Sequence, residues 1–171
     1  MAAARDVVPL HGEHRQRVRF TLSLMAQQVV TVTADSRPTA VIAATTTWPE
    51  YPQLWRKLLD QVHANVRWGG SGRAGRDVML YHDAVPNLEI GVELDQPAEI
   101  AAPVVRSALP AGEVAMTVHY GPHELLGDAH DTIIEWCEEH GRRRAGPRWE
   151  IYGHWAEDPA LLETEVYYLL A

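Results

Sequence analysis

The sequence predicts an α+β fold in which one strand-helix-strand-strand module is repeated in tandem around a central ligand cleft. Three observations lead there. The order strand, strand, helix, strand, strand occurs once over roughly the first half of the patterned chain and again over the second. Particular segments superpose: residues 40–47 followed by Pro49 match 113–120 followed by Pro122, 75–81 match 146–152, and 89–92 match 165–168. Each copy carries a single amphipathic helix, enough to cover one face of its sheet, so the uncovered faces are left to enclose a pocket. At 171 residues the chain has the length for one such domain with a substantial core. The expected division is an N-terminal extension over 1–26 and a domain over 27–171, its repeats spanning about 27–96 and 97–171.

The elements follow in order. Residues 1–24 are polar and poorly periodic, and Met25 is a plausible functional start. Residues 29–33 and 39–47, rich in Val, Ile and Thr, read as strands joined at Asp35-Ser36-Arg37-Pro38. Leu54, Leu58 and Val62, with Trp55 and Leu59, give the three-to-four spacing of a helix over about 49–66. The glycine cluster from Gly69 to Gly75 ends it and lacks the Lys-Ser/Thr finish of a phosphate loop, so it reads as a connector. Residues 77–83 and 88–94 form a hairpin around Ala84-Val85-Pro86-Asn87. In the second half, 98–108 reads as a strand with a central Pro103, and 112–120 as another. Pro122 opens a helix whose face is marked by Leu126, Ala129, Ile133 and Trp136, and Gly141 terminates it. Strands over 149–155 and 164–170 close the chain.

A net charge of -8 argues against direct nucleic-acid binding, which depends on clustered Lys and Arg. The one basic run, Arg142-Arg143-Arg144, reads as cations at a helix C-terminus. Cys137 is the single cysteine, which fits a reducing compartment and a buried apolar role. No membrane-spanning stretch or secretory signal is recognisable, and the expected location is the cytoplasm. Nine histidines include the close pairs His11/His14 and His119/His123, and Cys137 with His140, but none completes a ligand set, so no metal or other cofactor is expected.

Glu150 is the strongest candidate for chemistry. It sits in Arg148-Trp149-Glu150-Ile151-Tyr152, where strand alternation puts Glu150 and Tyr152 on one face and Trp149 and Ile151 on the other. If the apolar pair packs on a helix, the carboxylate points to water or into a cavity. His154 shares its parity, and the repeat places Met79 and Tyr81 opposite. Trp155, His119 and one of Tyr167 and Tyr168 complete the candidate ligand-binding set, with Trp48, Trp55 and Trp68 as a possible rim. Tyrosine faces suit a flat guest, and a cationic guest would gain roughly 0.5–2 kcal/mol per good cation–π contact besides the attraction of Glu150. No serine lies in a glycine-flanked nucleophile turn.

Leu109-Pro110-Ala111-Gly112, His119-Tyr120-Gly121-Pro122, a helix with Trp136 near its end, Trp149-Glu150-Ile151-Tyr152 and Thr164-Glu165-Val166, in that order and spacing, resemble the GyrI-like small-molecule-binding domain. That family is akin to the effector-binding domains of AraC-type regulators and multidrug sensors. The resemblance covers about 27–170 and implies pseudo-twofold symmetry of the two modules, with Glu150 as the pocket glutamate that faces cationic aromatic drugs. It also implies two alternatives: a hydrolase opening reactive cyclopropane-type natural products with Glu150 as general acid or base and Tyr152 assisting, or a protein-interaction module of the gyrase-inhibitor type. The expected partner is a small organic ligand, in sequestration or sensing. Residues 1–26 are too few for a helix-turn-helix, so a complete transcription factor is not expected.

Overall fold

The computed structural model describes residues 28–70 and 75–171. The N-terminal extension and the centre of the glycine cluster lie outside the described residues. The fold is α+β. Strands β1 (Val30–Ala34) and β2 (Arg37–Thr45) precede helix α1 (Tyr51–Asn65). Then come β3 (Val66–Trp68), β4 (Asp77–Tyr81), β5 (Asn87–Glu93), β6 (Ala98–Ile100), β7 (Val105–Leu109) and β8 (Gly112–Tyr120). Helix α2 (Leu126–Glu139), β9 (Arg144–Tyr152) and β10 (Glu163–Leu170) complete the chain.

Eight strands form one antiparallel sheet in the order β1-β8-β10-β9-β4-β5-β2-β7, and β3 pairs with β6 separately. The expected hairpin around residues 84–87 is present as β4 paired with β5. The stretch 98–108 is two short strands in different sheets rather than one, because Pro103 has no N–H to give a ladder and sits in the turn between them.

Strand order and chain connectivity together require the sheet to curl. β1 and β2 are joined by only Asp35 and Ser36, a reach of about 11 Å, yet they stand six strand spacings apart, about 29 Å across a flat sheet. The two edges therefore approach each other. Ser36 Oγ donates to the Leu109 carbonyl at 3.0 Å, and Ala34 and Leu109, from opposite edges, share a buried cluster with Val78, Leu80, Trp149, Ile151 and Tyr167 from the sheet centre. Trp149 and Tyr167 stack at 5.2 Å there. An ionic clasp closes this side: Arg76 bonds Glu93 at 2.8 Å and Glu165 at 2.7 Å, while Arg37 bonds Glu93 at 2.9 Å and donates to the Tyr167 hydroxyl oxygen at 3.2 Å.

This is a correction to the sequence reading. Trp149 and Ile151 pack on the inside of the curl and not on a helix, and the face left bare by the helices is filled by the chain's own side chains. Both helices lie on the other face, the one Glu150 shares. Leu58 and Val62 of α1 pack chiefly over β5 and β2, and Leu126, Ala129, Ile133 and Cys137 of α2 over β8 and β10. The central strands β4 and β9 run in the gap between them.

Candidate functional site

On the α2 side of that gap, over β9, lies a cavity of about 500 Å³. Its floor is Glu150, which stands opposite Met79 of β4 and Val166 of β10 and is only 4% exposed. One wall is α2, through Leu126, Gly127, His130 and Ile134; the other carries Tyr81 and Trp48. Tyr168 of β10 and Arg144 and Arg148 of β9 complete the lining with Ala84.

A buried carboxylate requires donors, and the fold supplies them from three elements. Tyr152 Oη donates to Glu150 Oε2 at 2.5 Å, and Tyr81 Oη reaches the same oxygen at 3.4 Å. His130 Nε2 lies 2.8 Å from Oε1. A carboxylate can only accept, so Nε2 carries a proton, and Nδ1 lies 2.9 Å from the Tyr168 hydroxyl. On the far side Tyr51 of α1 sits 2.5 Å from Tyr81 Oη. The result is a hydrogen-bonded chain Tyr51–Tyr81–Glu150–His130–Tyr168 that crosses the cavity floor from one helix to the other. Burial pushes the hydroxyls of Tyr51, Tyr81 and Tyr152 upward in pKa, and the Glu150 charge adds to it. All three therefore stay protonated as donors at neutral pH. Tyr168 is also raised by burial, with Arg148 and Arg144 opposing the shift.

The aromatic wall is already organised around a cation. Trp48 meets Tyr51 edge-on at 5.8 Å and Tyr81 at 6.0 Å, and its indole N–H donates to the Ala84 carbonyl at 3.2 Å. The Arg148 guanidinium lies 4.7 Å from the Tyr81 ring centre and 5.6 Å from that of Trp48.

Of the residues singled out from sequence, Glu150, Tyr152, Tyr81 and Met79 come together: the Met79 sulfur lies 3.7 Å from Tyr152 Oη and 2.8 Å from Tyr51 Oη. His154 and Trp155 do not join them. β9 ends at Tyr152, so the strand parity assigned to His154 does not apply, and Trp155 is 76% exposed in the following loop. Tyr167 faces the inside of the curl against Trp149, leaving Tyr168 on the cavity side. His119 is buried on the helix-bearing face, its Nε2 3.0 Å from the Pro122 carbonyl, and does not line the cavity. Trp48 lines the cavity, whereas Trp55 of α1 packs against the cluster of Leu58 and Leu88, and Trp68 of β3 against that of Val62 and Val92.

Tyr51 and His130 were not among the sequence candidates. A signal for His130 existed: it follows Leu126 by four residues and adjoins Ala129, so it flanks the buried stripe of α2 on the side that overhangs β9. Arg144 belonged to a run read as a helix C-terminal charge cluster. Arg142 does cap the end, its N–H bonding the Cys137 carbonyl at 2.8 Å and its guanidinium pairing with Glu113, but Arg144 begins β9 and turns to the cavity.

The GyrI-like small molecule binding domain family matches residues 85–170, half of the chain, and the chain belongs to that family. Among solved structures, it is similar to EcmrR: in a complex with DNA (TM-score 0.64, 18% identity) the match covers 92% of this chain and 62% of that one, so the chain spans less than two thirds of EcmrR. The EcmrR C-terminal domain by itself is matched over 97% of its length, with 84% of this chain covered, at a TM-score of 0.61 and 17% identity. SAV2435 bound to tetraphenylphosphonium is similar at a TM-score of 0.59 and 9% identity, over 84% of this chain and 94% of that one. A hydrolase from Listeria innocua has a TM-score of 0.54 and 11% identity, over 90% and 98%. At these identities the likeness is one of fold. No curated protein sequence matches the chain.

Proposed function

We propose that the chain binds a small, flat aromatic molecule in the cavity between α2 and the wall of Trp48 and Tyr81, in sequestration or sensing. The observation that carries this is Glu150: a nearly inaccessible carboxylate on the floor of a space of about 500 Å³, held by phenol and imidazole donors and flanked by Trp48 and Tyr81. The volume is within the range of small-molecule sites. The network satisfies Glu150 without a guest, so the site is preorganised and a ligand need only add to it. SAV2435, with its tetraphenylphosphonium, supports an organic cation as one class of guest.

The same reading treats the chain from about residue 27 as two copies of one module. The sheet order supports it: β2, β5 and β4 on one side of the centre mirror β8, β10 and β9 on the other, and each set has one helix following its first strand.

A thermal-shift series with aromatic dyes tests the binding reading, because a ligand that binds only the folded state raises the melting temperature. Saturable quenching of tryptophan fluorescence should accompany the shift, since Trp48 stands at the cavity. A library that shifts nothing and quenches nothing would overturn it.

The hydrolase reading has one observation in its favour. His130 lies between a carboxylate and a phenol, an arrangement that orients an imidazole for proton transfer. In that case Glu150 and Tyr152 would act as acid–base groups on a strained electrophilic ring. Catalytic consumption of such a compound, abolished in Glu150→Gln with affinity retained, separates turnover from binding.

A further inference from the structure

The charge pattern of the cavity is bipolar. Its acidic pole is Glu150 at the floor; its basic pole is Arg144 and Arg148. A bulge in β9 creates the second pole. Arg144 stands opposite Leu170 and Arg148 opposite Tyr168, so four residue steps on β9 are matched by two on β10. Two steps of a strand cover about 7 Å, against about 13 Å for four. The extra residues surround Gly146, whose φ of 115° is open to glycine and strained for other residues. The bulge thus shortens the spacing of the two arginines along the strand, and both line the same cavity.

Neither has a carboxylate partner among the described residues. Arg37, Arg76 and Arg142 pair with glutamates, whereas Arg56, Arg67, Arg106 and Arg143, like Arg144 and Arg148, have no such pair among the described residues; what marks Arg144 and Arg148 is that they line the cavity. Arg148 is held by two ring faces and by one long bond of 3.5 Å to the Asp83 carbonyl. Stacking fixes the plane of a guanidinium and leaves most of its five N–H donors unused. A planar fork that is oriented, unpaired and beside a cavity suits a carboxylate, sulfonate or phosphate.

Resting on the reading of this cavity as a ligand site, we propose that its preferred guest is amphoteric: an aromatic body with an anionic group that takes Arg144 and Arg148 and a hydrogen-bond-donating or cationic end that reaches Glu150. A simple organic cation satisfies only one pole. It is also repelled by two like charges in the lining and competes with Arg148 for the faces of Trp48 and Tyr81.

One matched pair of probes tests this: a rhodamine dye as its free carboxylic acid, a zwitterion at neutral pH, and the methyl ester of the same dye, a monocation. Fluorescence anisotropy at low salt gives both affinities. The acid should bind wild type about tenfold or more tightly than the ester. Arg144→Gln combined with Arg148→Gln should remove that preference, with a cooperative thermal melt near that of wild type showing that the variant is folded. Arg144→Gln alone, at an exposed position, should remove part of it. An ester that matches or exceeds the acid on wild type, or a preference that survives both substitutions, overturns the proposal and leaves the cavity reading intact. Gly127→Trp separates the two failures: if neither dye binds, or if both bind this cavity-filled variant as they bind wild type, the cavity reading itself falls and the proposal with it.

Discussion

Replacing Glu150 by glutamine keeps the shape of the side chain and removes its charge. Two of its hydrogen bonds are short, from Tyr152 at 2.5 Å and His130 at 2.8 Å, and the Tyr81 contact at 3.4 Å is weak. The amide keeps one acceptor oxygen, for the His130 N–H, and its NH2 donates to the Tyr152 hydroxyl oxygen instead; since a bond to a charged group contributes roughly 1.5–3 kcal/mol and a neutral one roughly 0.5–1.5 kcal/mol, the two short bonds together lose about 2–3 kcal/mol. Taking an ionised carboxylate out of water costs several kcal/mol, which the amide avoids. The two effects nearly offset, and Glu150→Gln should change the unfolding free energy by no more than about 1 kcal/mol. Glu150→Ala strands the same donors with no acceptor and should cost about 2–4 kcal/mol. Urea unfolding of the three proteins measures this. If glutamine destabilises as strongly as alanine, the charge is a structural requirement of the core and the picture of a preorganised acceptor fails.

Other outcomes follow from the surrounding structure. Arg76→Met removes two ion pairs from the clasp on the inner face and should lower stability by about 2 kcal/mol in urea, with Arg76→Lys losing less. His63 of α1 bonds Asp77 of β4 at 2.9 Å, which raises its pKa in the folded state. A raised histidine contributes stability that is full below its unfolded value, near 6.5, and is lost as pH rises through the folded value. The pair is largely exposed, so His63→Gln should flatten that decline by only a few tenths of a kcal/mol between about pH 5.5 and pH 8.5, read from urea midpoints. Cys137 is buried beneath α2, and burial pushes its thiol pKa up, so its reaction with a thiol reagent should track global unfolding rather than proceed in the native state.

The sequence carried most of the fold and part of the site. Local periodicity was sufficient for α1, α2, β8 and the β4–β5 hairpin, since each expresses its burial within its own few turns or steps. Strand parity was sufficient to put Glu150 and Tyr152 on one face, though not His154, which lies past the end of β9, and the repeat match was sufficient to put Met79 and Tyr81 opposite them. What it could not express was long-range pairing. β1 joins β8 and β7 joins β2, each leaving the strand next to it in the chain, and it is this exchange that curls the sheet and fills the face expected to be open. The bulge that turns Arg144 inward depends on register with β10, and the place of His130 depends on where α2 crosses β9; neither follows from any single segment.

Gly127, in the first turn of α2, offers the most direct test of the cavity as a binding site. It lines the space, and a Cβ placed on it meets nothing within 4 Å, so Gly127→Trp should fill the cavity without disturbing the core. Calorimetric titration of a flat aromatic dye should show one saturable site on wild type and a loss of about tenfold or more in the variant. Equal binding by the two proteins would contradict the account.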